Sequence, residues 1–151
     1  MMLPVKYEAA RTALAECRRL DEVKDIRGKA AAMQVYAQQA GDRELIDHAT
    51  EIRMRAEIRA GELLAEMAEH GQRAKAGDNQ HGSSNEQLPP KLSDLGITKT
   101  HSSRWQKLAA LPEEEREQRI EQAKRRADAA LSGGSLMQAD LRTTRCSSGR
   151  A

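Results

Sequence analysis

Residues 99–107 gather the side chains of this chain best suited by type and spacing to grip a polyanion: Lys99, Thr100, Ser102, Ser103, Arg104, Gln106 and Lys107. Hydroxyls and an amide can exchange hydrogen bonds with base edges, while lysine and arginine pair with phosphates. No carboxylate interrupts the run. From 91 to 111 the cations Lys91, Lys99, Arg104 and Lys107 stand against Asp94 alone, a net +3, whereas the whole 151-residue chain carries +2. Positive charge is concentrated where a phosphate backbone would lie.

A helix-turn-helix is the element that would position these groups. Lys91–Leu95 reads as a short helix closed by Gly96, which can take a positive φ, and Ile97 supplies an apolar plug. Thr98 is an expected N-cap for the helix that follows. Advancing about 100° per residue from Ile97 collects His101, Arg104, Trp105, Leu108 and Leu111 on one side. Lys99, Ser102, Ser103 and Gln106 then fall on the other, flanked by Thr100 and Lys107. The spacing predicts Trp105 and Leu108 in the core, Lys99, Thr100, Ser102, Ser103 and Gln106 near bases or phosphates, and Arg104 and Lys107 on the backbone. The bland alternative is an amphipathic helix pair that caps a bundle. Beyond it, Leu111-Pro112-Glu113-Glu114-Glu115 opens another helix, extended by Ile120, Ala123, Ala127, Ala130 and Leu131 and ended by Ser132-Gly133-Gly134-Ser135. Lys124-Arg125-Arg126 is either solvated charge or an auxiliary phosphate contact, and residues 132–151 are expected to form a disordered tail.

The rest of the chain predicts an all-α protein, since apolar content is mostly Ala and Leu, charged residues make up 32%, and Phe is absent. Tyr7, Ala10, Leu14 and Cys17 form one helical stripe. Asp21 offers an N-cap for a second helix, with Val23, Ile26, Ala30, Met33, Ala37 and Ala40 inward. Gly41 and Asp42 then turn the chain into a third helix over about 43–69, with Leu45, Ala49, Ile52, Ala56, Ala60, Leu63 and Met67 inward. Within it Glu51 and Arg55 should attract, and Arg55 and Arg59 repel. The expected organisation is a three-helix antiparallel hairpin or coiled-coil module at 1–70, a flexible Gly/Ser/Asn linker at 71–90, the helix-turn-helix at 91–131 and the tail. So small a module buries little apolar area, and the long third helix offers a seam for a homodimer.

Several functional classes fit poorly. No apolar run is long enough to cross a bilayer, and Met1–Lys6 lacks a signal-peptide core, so a cytoplasmic location without membrane contact is expected, nucleoid-associated when bound to DNA. Cys17 and Cys146 are far apart, and His48, His70, His81 and His101 are scattered, so neither a disulfide nor a metal site is expected. Catalytic residues and cofactors are likewise not expected, because no nucleophile with its base and no phosphate loop stands out.

Leu92-Ser93-Asp94-Leu95-Gly96-Ile97-Thr98-Lys99-Thr100-His101-Ser102-Ser103-Arg104-Trp105-Gln106-Lys107-Leu108, running into Leu111-Pro112-Glu113-Glu114, resembles the helix-turn-helix segment of the ParB family. That resemblance implies DNA reading. ParB proteins also carry an N-terminal nucleotide-binding domain with an arginine-rich motif, which nothing ahead of the linker resembles, so nucleotide hydrolysis is not implied. The longer stretch from Val23-Lys24-Asp25-Ile26-Arg27 through Ile52-Arg53-Met54-Arg55-Ala56-Glu57 to Ser103-Arg104-Trp105-Gln106 is similar to uncharacterised bacterial and prophage-associated helical proteins. Together these readings give the expectation of a non-enzymatic prophage or mobile-element protein that binds duplex DNA in transcription or DNA maintenance. The alternative is a helical adaptor for a replication, methylation or packaging protein.

Overall fold

The computed structural model describes residues 3–73 and 89–143. Every regular element among them is helical: α1 (Leu3–Glu16), α2 (Leu20–Ala40), α3 (Arg43–Glu69), α4 (Lys99–Ala110) and α5 (Glu113–Thr143). The all-α expectation therefore holds. Residues 74–88 of the expected linker and 144–151 of the expected tail lie outside the described residues.

The hairpin between α2 and α3 forms where the sequence places it. Gly41 takes φ 70° and ends α2, and the Asp42 side chain accepts a hydrogen bond from the Leu45 amide at 3.1 Å to cap α3. The start of α2 differs from expectation, because the helix begins at Leu20 after an extended Arg19 that makes no side-chain cap. Asp21 and Glu22 instead sit in the first turn, where their charge complements the helix dipole.

The central element is α3, in contact with α1, α2, α4 and α5. Its Ala49, Ala56, Ala60 and Gly61 are all buried, and such small residues let neighbouring backbones approach from several sides. One core cluster joins Leu14, Leu20, Val23, Ala56, Ala60, Leu63 and Leu64 with Ile97 and Trp105. Residues around α4 are thus packed into the N-terminal helices, although the sequence set them apart as a second module beyond a flexible linker. Two further clusters pin α5: Ile120 packs with Met54 and Ile58, and Ala127 with Ala37 and Ile46.

This packing changes three sequence-based expectations. The seam proposed on α3 for a homodimer is covered within the same chain by α4 and α5. Met33 is 47% exposed although its three-and-four spacing placed it inward, because the contact line of α2 runs through Val23, Ala30 and Ala37. Finally, α5 passes through Ser132-Gly133-Gly134-Ser135 and continues to Thr143, so the helix does not stop at 132 and the first part of the expected disordered tail is helical. Two glycines lower helix propensity by about 1 kcal/mol each relative to Ala, but they need not end a helix.

Candidate nucleic-acid interface

The approach to α4 is built from one turn. The Lys91 carbonyl accepts from the amides of Asp94 and Leu95, and Asp94 Oδ2 accepts from the Lys91 amide at 2.9 Å. Where the sequence predicts a short first helix, the chain therefore makes a single hydrogen-bonded turn closed by Gly96 at φ 68°. A segment this short gains too few backbone bonds to propagate as a helix. The turn is fastened to the bundle, because Lys24 Nζ of α2 donates to the Leu95 carbonyl. A Cβ on Gly96 would lie 3.0 Å from that ammonium, and the positive φ already disfavours a side chain. Thr98 then caps α4 as expected, its hydroxyl accepting from the His101 amide at 3.1 Å.

The orientation of α4 differs from the one counted from Ile97. Ser102 and Trp105 are each only 3% exposed and face the bundle. At their point of contact, Gly61 of α3 meets the backbone of α4: a Cβ there would run into the Trp105 carbonyl and lie 2.9 Å from the Gln106 nitrogen. Trp105 is further fixed by the His101 ring, stacked at 5.4 Å between centroids, and by the Arg27 guanidinium 5.1 Å from its ring centre. Arg27 in turn pairs with the buried Glu57 at 3.0 Å. The physical reason for the offset is Thr98, whose ψ of 153° is extended, so a helical count begun at Ile97 loses its phase before α4 starts.

This rotation divides the seven expected contact residues. Ser102 is withdrawn, its Oγ accepting from Gln106 Nε2 at 2.8 Å. Gln106 is half-buried and its Oε1 accepts from Arg73 at 3.5 Å, so both ends of its amide are engaged. The expectation that Ser102 and Gln106 face a ligand is corrected accordingly. Lys99, Thr100, Ser103, Arg104 and Lys107 are exposed and line one groove of about 660 Å³ with Leu108, Leu111 and Arg119. Arg104, which the helical count grouped with Trp105 although a phosphate contact was expected of it, lies on this open side. Arg119 was missed from sequence. Its one available signal was its place beside Ile120, an inward residue of α5.

Electrostatically, this face is unlike the seam between α3 and α5. Among the described residues, Lys99, Arg104, Lys107 and Arg119 have no carboxylate within ion-pair distance, and no acid lines their groove. Along the inner seam, by contrast, Arg55 pairs with Glu51 at 2.8 Å and Glu117 at 3.0 Å, and Lys124 pairs with Glu51 at 2.7 Å. Burial opposes the charge on both cations, yet these carboxylate hydrogen bonds more than offset it and raise each pKa. The Glu51–Arg55 attraction read from sequence is present. Arg59, expected to repel Arg55, has its own partner in Glu62 at 2.9 Å. Arg116 also pairs with Glu62 at 2.9 Å and donates to the carbonyls of Ala109 and Leu111, covering the C-terminal end of α4.

No family model, curated protein or solved structure matches this chain. The residues themselves therefore carry the functional reading. No helix among the described residues is long and apolar enough to cross a membrane.

Proposed function

We propose that the chain is a non-enzymatic protein that binds duplex DNA through the outer face of α4, in the manner of a prophage or mobile-element factor of transcription or DNA maintenance. The observation that carries this reading is the set of cations on that face, Lys99, Arg104 and Lys107, exposed and without carboxylate partners among the described residues, beside the hydroxyls of Thr100 and Ser103. Such a face attracts phosphate by releasing condensed counterions, which makes binding steeply dependent on salt. The ParB-like sequence of residues 92–114 favours the same ligand. Fluorescence polarisation of the full chain with a random duplex pool at two salt concentrations tests it. Salt-sensitive binding weakened by Lys107→Ala supports the reading; no binding at low salt rejects it.

A second reading, a homodimer or a helical adaptor for another protein, is favoured by a different surface. Met33, Val35 and Tyr36 of α2 are exposed, at 47%, 55% and 61%, in a stretch from Ala30 to Gly41 without a charged residue. An apolar patch of this kind suits a protein contact more than a nucleic acid. Sedimentation of wild type beside Tyr36→Glu separates the cases: a dimer lost on substitution supports self-association, and a monomer in both rejects it.

A further inference from the structure

We infer that Arg119 of α5 is a fourth phosphate contact, completing with Lys99, Arg104 and Lys107 a grip on the DNA backbone. The inference rests on the reading of α4 as a duplex-binding face and adds to it a residue from another helix.

Position is the first argument. Arg119 lines the same groove as the three α4 cations, is exposed, and has no carboxylate partner among the described residues. Its neighbour Ile120 is 1% exposed in the cluster with Met54 and Ile58, against which Leu108 of α4 packs. The backbone at 119 is therefore held at a fixed place relative to α4, while the side chain remains free to reach a ligand. A cation on a rigid element contributes to binding without first ordering a loop.

The second argument is what the face lacks. Gln106, the amide able to make a bidentate contact with adenine, is tied to Ser102 and Arg73, and Ser102 is buried. The groups left accessible are four cations and two short hydroxyls. Cations spread over two helices around one groove suit a run of phosphates, which positions a protein on DNA without specifying sequence.

The test compares full-length wild type, Arg119→Ala and Arg119→Lys by fluorescence polarisation over a salt series, on several duplexes of unrelated sequence. Matched thermal unfolding serves as the folding control. The slope of log affinity against log salt should fall by about 0.9 in Arg119→Ala and stay near wild type in Arg119→Lys, as expected for one phosphate contact. The loss should be equal on every duplex. A wild-type slope in Arg119→Ala would overturn the inference and leave the α4 reading standing, as would a loss confined to one sequence, which marks a base contact rather than a phosphate contact. Absence of salt-dependent binding by wild type would overturn both.

Discussion

Arg55, Arg116 and Lys124 bear the same charge as Arg104, Lys107 and Arg119, yet the two groups sit in opposite surroundings. The first three lie along the seam of α3 and α5, each partly buried and each within 3.0 Å of a carboxylate oxygen. The others surround an open groove with no acid in its lining among the described residues. A partly buried cation deprived of its carboxylate costs stability, because the remaining charge keeps its desolvation without its partner. An exposed, unpaired cation adds little to folding and remains available to a ligand. The same residue type thus secures the bundle on one side and presents positive charge on the other, and burial beside an acid separates the two roles.

The most damaging way to break this division is at Gly61, since the outer face of α4 exists only while its inner face is pressed on α3. By helix propensity alone, Gly61→Ala would stabilise by roughly 1 kcal/mol. The contact with the α4 backbone predicts the reverse, a loss on the order of 1–3 kcal/mol from overpacking, read from denaturant midpoints. A stabilised variant would show that α4 does not dock there. Next comes Arg116→Ala, which removes the pair with Glu62 and the bonds to the Ala109 and Leu111 carbonyls. It should lower stability by about 1–2 kcal/mol while duplex affinity at low temperature stays within twofold of wild type.

Asp47 sharpens the seam side of the comparison. Burial, reinforced by Asp128 and only partly offset by Lys124, raises its pKa, and its Oδ1 is buried without a hydrogen-bond partner. Folding therefore disfavours the charged form. The penalty is full above the raised folded pKa and vanishes as pH falls below the unfolded value of about 3.9. Asp47→Asn should accordingly raise the melting temperature at pH 7, with the gain shrinking toward pH 4; a gain independent of pH would contradict this assignment. The smallest effect belongs to Ser103→Ala on the outer face, where stability should change by less than about 0.5 kcal/mol in denaturant titration.

Much of the framework was legible because it depends on local chemistry. Gly41 with Asp42, and Gly96 with Thr98, are read from residue type: the first pair closes α2 and opens α3 where expected, and in the second Gly96 closes a turn and Thr98 caps α4. Val23, Ala37, Ala56 and Leu63 are inward as their spacing indicates. What escaped was long-range or depended on phase. Nothing near Gly61 in sequence announces that its missing side chain admits Trp105, a residue on a helix beyond a long polar segment. The extended Thr98 shifted the helical count, so Ser102 was placed outside and Arg104 was grouped with the packed Trp105. Arg119 was hidden because its role comes from the packing of Ile120 near Leu108, two residues on different helices.

The most direct measurement of the central claim is low-salt duplex binding by full-length Arg104→Glu/Lys107→Glu beside wild type, with thermal unfolding recorded on the same samples. The double substitution should abolish binding and leave the melting temperature unchanged, since neither cation has a carboxylate partner among the described residues. Retained affinity in a folded double variant would contradict the assignment of the α4 face to DNA.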